Sequence, residues 1–291
     1  MAMRVLLGLV GLVWMAADSP PLAIDPVPVP ATVQGQTARL RIDPGAPSMP
    51  VFNPAFANRA GFDAGPIGTQ AAIGPVKVHG RSAVVRLDLG RGEFKRRVTW
   101  FAAPFETEAD GAVGPGGLPE PRILFRLRPD GADDVVASFP LADFGYAGMG
   151  IELPVGGETL RIAFAPYRPE SLATAGAGAA LAAAQGGRFD GAARTMAIKL
   201  QVERPVRHLA LARPLALGPL QLRGMLVRTG DFGSTGSIPE GEQDPDEIVV
   251  TGSAKGKRKL SLAIGADLLS RCASILFDKP AKQVTLRCRS D

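Results

Sequence analysis

The sequence predicts an all-β protein built as two similar lobes with a few short helices, and three observations carry that expectation. Glycine (35) and proline (26) are abundant while aromatic residues make up only 6%, a mix suited to many short strands joined by tight turns. Stretches such as Ala38-Arg39-Leu40-Arg41-Ile42 and 76–101 alternate apolar and polar residues, the period-2 pattern of half-buried strands. The segment from Gly157 to Pro166 also aligns without gaps on the segment from Gly35 to Pro44. Glycine, threonine, arginine and proline coincide there, and an internal repeat of this kind marks a duplicated architectural unit.

Taken in order, the chain opens on an export signal at 1–17. Arg4 supplies the positive start, and Val5 to Ala17 is an almost unbroken apolar run ending in small residues. A secretory apolar core is roughly 7–15 residues, whereas a membrane-spanning helix needs about 20. The expected location is therefore outside the cytoplasm, periplasmic or secreted, with no stable membrane span after the signal is removed. Residues 18–30 are proline-rich and read as an extended linker merging into an edge strand. A hairpin turn in 32–37 feeds the strand that ends at Asp43, followed by the turn Pro44-Gly45-Ala46. Period-2 geometry places Leu40 and Ile42 on one face and Arg39 and Arg41 on the other. Asn53 then reads as the cap of a short helix with Pro54 in its first turn and Gly61 at its end. Residues 76–101 read as a hairpin about the turn signal Leu89-Gly90-Arg91-Gly92, with Trp100 in the core.

The first lobe is expected to span 22–145 and the second 146–291. In the second, 173–185 is alanine-rich and reads as a helix. Two strands near the C-terminus, joined by Lys279-Pro280-Ala281-Lys282, place Cys272 nearly opposite Cys288. That is within disulfide reach, and an exported protein meets the oxidising conditions such a bond needs. Residues 229–259 interrupt the strand pattern with an acidic cluster around Glu240, the run Ile248-Val249-Val250-Thr251, and a basic cluster at 255–259. They read as an inserted surface loop.

A net charge of +5 with scattered Lys and Arg shows no basic stripe interleaved with aromatics, so nucleic acid is not an expected partner. Two cysteines and two isolated histidines, His79 and His208, offer no zinc site. The histidines also have no serine or cysteine nucleophile pattern beside them. No metal and no cofactor is expected. Tyr146 and Tyr167 read as structural residues that could line a cleft. Gly114-Pro115-Gly116-Gly117 lacks the Lys-Ser/Thr of a phosphate loop.

The stretch Leu40-Arg41-Ile42-Asp43-Pro44-Gly45-Ala46 resembles the active-site loop of the aspartic peptidases, above all the retropepsin-like group. The family motif there is two apolar residues, Asp, Thr or Ser, Gly and Ala. In the same family an apolar-apolar-Gly motif laces beneath the loop, and Ala112-Val113-Gly114 is similar to it. A short helix follows the loop, as read at Asn53, and a hairpin covers the substrate, for which 76–101 is the candidate. Residues 262–269 resemble the family's second signature. The resemblance covers nearly everything after the signal and implies a two-lobed acid-protease fold with a cleft between the lobes.

Aspartic peptidases act through two carboxylates about 3 Å apart that share one proton. The repeat places Ala165 where the second would stand, followed by Pro166-Tyr167-Arg168, and the nearest carboxylate in sequence is Glu170. Pro44 and Pro166 replace the family's hydroxyl residue in both lobes, and proline has neither hydroxyl nor N–H to brace the loops. Asp43 therefore has three readings: a relic in a non-catalytic fold, half of a dyad rebuilt with a second chain, or a catalytic acid with an unrecognised partner. The expected function is binding of a peptide segment in the cleft along Pro44, Gly45, Ala46, Ala165 and Pro166, with proteolysis lost or impaired. The alternative is a working aspartic endopeptidase using Asp43. A third reading is an envelope interaction through 240–258, because Asp246-Glu247-Ile248-Val249-Val250-Thr251-Gly252 is similar to the TonB box, a segment captured by strand addition.

Overall fold

A computed structural model describes residues 20–240 and 260–290. The segment 1–17 that the sequence reads as an export signal, most of the expected loop 229–259 and the run Ile248 to Thr251 lie outside the described residues.

The chain is all-β and two-lobed, with three short α-helices among the described residues. The first lobe is a seven-stranded sheet in the order Val29–Val33, Gln36–Ile42, Gly111–Val113, Val51–Phe52, Glu93–Phe101, Val76–Asp88, Thr69–Ile73. Thr32 and Val33 pair with Asp88 and Leu87, which closes six of these strands into a barrel. Closure removes open edges that would otherwise invite aggregation. Its interior holds Leu40, Ile42, Phe52, Phe56, Leu87 and Val98, all nearly inaccessible to solvent.

The second lobe repeats that strand order, with no counterpart of the closing pair among the described residues. Its order is Met149–Val155, Glu158–Phe164, Ser261–Ile264, Leu172–Ala173, Leu220–Arg228, Val202–Leu217, Gly187–Lys199, with the two-residue strand Ala142–Asp143 added at the Met149–Val155 edge. The directions match as well. Gln36–Ile42 runs parallel to Gly111–Val113, as Glu158–Phe164 runs parallel to Ser261–Ile264. Val51–Phe52 is antiparallel to one neighbour and parallel to the other, and so is Leu172–Ala173. Gly35 (φ 78°) and Gly157 (φ 82°) turn the corresponding hairpins. Both adopt the left-handed conformation that tight hairpin turns require. The helices Pro54–Arg59 and Ala175–Gln185 occupy corresponding places.

A third, five-stranded sheet ties the halves together. It runs Leu22–Ile24, Arg122–Arg126, Cys272–Asp278, Gln283–Arg289, Asp134–Pro140. Its C-terminal hairpin turns at Lys279–Lys282 as read from sequence and carries a Cys272–Cys288 disulfide between directly paired residues.

Two local expectations change. Asn53 occupies the N-cap position, but its side chain makes no capping bond. It clamps the 105–109 loop instead, accepting from the Phe105 and Glu106 amides (2.8 and 3.0 Å) and donating to the Glu106 and Ala109 carbonyls (2.8 and 2.9 Å). The 76–101 hairpin forms about the expected turn, yet the tip that reaches the other lobe belongs to the preceding pair, Thr69–Ile73 with Val76–Asp88. A Cβ on Gly74 at that tip would stand 2.1 Å from Asp231 Oδ1 of the second lobe.

Candidate functional site

The site grows from the ends of two equivalent strands. In the first lobe the Asp43 amide donates to the Val113 carbonyl (3.0 Å). In the second the Ala165 amide donates to the Ile264 carbonyl (2.8 Å). Each loop is thus held by the strand that laces beneath it, and Ala165 is the structural counterpart of Asp43. The loops touch, because a Cβ on Gly45 would meet the Phe164 carbonyl at 2.9 Å and the Ala165 Cβ at 3.0 Å. Pro44 and Ala46 are buried, whereas Asp43, Gly45, Ala165, Pro166, Tyr167 and Arg168 keep partial exposure at the lobe boundary.

The Asp43 carboxylate accepts the Gly45 amide at 2.8 Å. Burial pushes its pKa up, and the Gly45 hydrogen bond, then Lys199, Arg41 and Arg168, pull against that shift. Three cations, Lys199, Arg41 and Arg168, therefore act on the Asp43 carboxylate. Arg168 comes from the Ala165 loop and donates to the Ile198 carbonyl at 3.0 Å. Its own pKa is lowered by burial, with Asp43 opposing. Lys199 comes from the long second-lobe hairpin. The residue as a whole is exposed, and its ammonium nitrogen stands 5.7 Å from the Phe105 ring centre. Desolvation lowers its pKa and Asp43 works the other way.

Arg41 lies on the face opposite Leu40 and Ile42, as alternation requires, yet it is only 5% exposed. Its guanidinium covers the Tyr167 ring at 4.6 Å and pairs with Glu106 (3.3 Å) and Glu108 (2.6 Å). Glu106 is the carboxylate that shares the field of Asp43. Burial raises its pKa, Arg41 opposes, and Asp43 raises it further. Burial and then Asp43 also raise the Tyr167 hydroxyl. Glu170, the nearest acid in sequence, is instead paired with Arg194 at the surface.

Of the residues singled out in the sequence, the structure gathers Asp43, Pro44, Gly45, Ala46, Ala165 and Pro166 at one place. Tyr167 joins them, whereas Tyr146 is 71% exposed and stands apart. His79 and His208 lie exposed on strands, and Trp100 is core. Glu106, Arg168 and Lys199 were not singled out, because they converge through tertiary contacts between distant segments. Among the described residues no cluster of three or more His, Cys, Asp or Glu side chains is placed to hold a metal ion, and no helix is long and apolar enough to cross a membrane.

A surface groove of about 570 Å³ runs along the outer face of the third sheet beside Leu124, Arg126, Ser274, Leu276 and Arg287. None of its lining residues belongs to the loops around Asp43, so the groove and the clustered chemistry are separate features. No protein-family model and no curated protein matches the chain.

Proposed function

We propose that this is an exported protein of aspartic-peptidase-like build that holds an extended peptide segment between its lobes and does not cleave it. The observation that carries this reading is Ala165, which stands in the second lobe where Asp43 stands in the first and packs against Gly45. Acid proteolysis needs one carboxylate as base on a water and a second, protonated, to polarise the scissile carbonyl. A methyl group does neither. The doubled lobe plan, the loop contact and the first-lobe hairpin that reaches Asp231 of the second lobe support the peptide-binding half of the reading, since a cleft for an extended chain is built from such parts.

The test is turnover of a mixed peptide library from about pH 3 to 7, the range in which a shared-proton carboxylate pair operates. Wild type and Asp43→Asn are expected to be equally inert, while peptides are retained with measurable affinity. Turnover that Asp43→Asn abolishes would sink this reading.

One observation favours a second reading, an endopeptidase using Asp43 and Glu106. The two carboxyls share a field and both are raised by burial. Against it, the Arg41 guanidinium pairs with Glu106 at 3.3 Å and favours its charged form. Cleavage that is lost in both Asp43→Asn and Glu106→Gln would select this reading.

A further inference from the structure

The second-lobe hairpin Gly187–Lys199 with Val202–Leu217 ends in a two-residue turn, Leu200-Gln201, with φ of 52° and 58°. Turns of this hand favour Asn-Gly, because both central residues must adopt positive φ. A leucine there is held against its own backbone preference, and such outliers persist only when surrounding packing over-determines them.

That packing comes from the other lobe. Leu200 is 6% exposed and shares an apolar cluster with Val51, Ile73 and Phe101 of the first lobe, with Phe105 packed alongside. Register shifts at Asp190/Arg194 and Ala197/Lys199 interrupt the ribbon, and bulges of this kind bend and twist a strand. The bent ribbon reaches the first lobe, brings Lys199 into the field of Asp43, and presents the Ile198 carbonyl to Arg168. A carbonyl offered to Arg168 and a leucine seated two residues later are what an extended peptide would also supply.

We infer that the Leu200 socket is the specificity pocket of the cleft, that the hairpin tip is its resident occupant, and that the ligand is an extended peptide presenting a branched aliphatic side chain that displaces the tip. This rests on the cleft-binding reading above and names its ligand class. The incoming peptide gives a backbone carbonyl to Arg168 in place of Ile198 and a leucine-sized side chain to Val51, Ile73 and Phe101. Because the tip competes, the apparent affinity falls by the fraction of molecules in which the socket is open.

The test compares two fluorescein-labelled dodecapeptides, identical except for Leu or Ser at the centre, by fluorescence anisotropy. The double substitution Leu200→Asn with Gln201→Gly removes the plug while supplying the residues that the turn prefers. This variant is expected to melt cooperatively and to bind the Leu peptide about tenfold or more tighter than wild type, with no gain for the Ser peptide. Equal gains for both peptides would overturn the inference while leaving the cleft a binding site, as would no gain over a wild type that does bind. Failure of both proteins to bind either peptide would overturn the cleft-binding reading itself. In the wild type, saturating Leu peptide is expected to accelerate amide exchange at 198–202. Unchanged exchange with peptide bound would show that the tip is not displaced, whatever the variant does.

Discussion

Gly45 and Ala165 are packed backbone to side chain across the lobe boundary. A Cβ on Gly45 would fall 2.9 Å from the Phe164 carbonyl and 3.0 Å from the Ala165 Cβ. The glycine therefore sets how closely the loops approach, and Ala165 stands as the second-lobe counterpart of Asp43. Gly45→Ala is expected to push the loops apart and to destabilise the protein by about 1–3 kcal/mol, the usual range for overpacking. Ala165→Gly should recover part of that loss in the double variant, because the carbonyl contact remains when the methyl contact is gone. Urea unfolding of the four proteins in a double-mutant cycle measures the coupling. Additive losses would mean that the loops are not in contact in solution.

The carboxyls at the lobe boundary make stability fall as pH rises. Asp43 and Glu106 both have pKa values raised by burial. A carboxyl whose folded pKa lies above its unfolded value of about 4 favours folding while protonated. That contribution is fully present below the unfolded pKa and is lost as pH rises through the folded one. Asp43→Asn keeps an acceptor for the Gly45 amide and removes the titration. Relative to wild type, the variant should therefore gain stability as pH is raised from about 4, read as the difference in unfolding free energy at each pH. A flat difference would show that the cations around Asp43 cancel its burial.

The lobe plan was legible because its determinants are local. Gly35 and Gly157 fix two hairpin turns, and alternation fixes which residues face the core, so aligning the strands also aligned Asp43 with Ala165. The cysteines were legible for the same reason, since a short turn sets the register of Cys272 against Cys288. The electrostatics of the site were not. Arg41 meets Glu106 across 65 positions of sequence, and Lys199 arrives on a hairpin whose reach depends on two register shifts. Nothing local marks such meetings. The first-lobe tip is a different case, because Gly74-Pro75 is itself a turn signal just ahead of the alternating run 76–101.

Asn53 shows how one polar side chain can replace a cap with a clamp. Its amide makes four hydrogen bonds to the 105–109 loop, the segment that carries Glu106 to Arg41. Removing them in Asn53→Ala leaves part-buried backbone groups unpaired, and the expected loss is about 2–4 kcal/mol. Asn53→Asp keeps the two accepted bonds but sets an acceptor oxygen against the Glu106 and Ala109 carbonyls, so it should lose at least as much as alanine. Chemical denaturation checks the order of the three. An alanine variant as stable as wild type would mean that the loop is held by other contacts.

The first-lobe tip is seated on an ion cluster that leaves it little room. Asp231 is 2% exposed and lies 2.8 Å from Arg228 and 3.7 Å from Arg204. A Cβ on Gly74 would stand 2.1 Å from its Oδ1. A carboxylate held by Arg228 in a buried setting cannot swing aside without uncoupling that pair, which makes the tip the element that must move. Gly74 also has φ of 60°, so Gly74→Ala combines a left-handed backbone penalty with a clash. Gly61 separates the two effects, because its φ is 61° and nothing lies within 4 Å of its would-be Cβ. Gly61→Ala should cost only the backbone term, about 1–2 kcal/mol. Gly74→Ala should cost more and should also accelerate amide exchange at 72–76, where the tip lifts from Asp231. Equal losses for the two variants, with exchange at the tip unchanged, would mean that the first-lobe hairpin does not rest on the second lobe in solution.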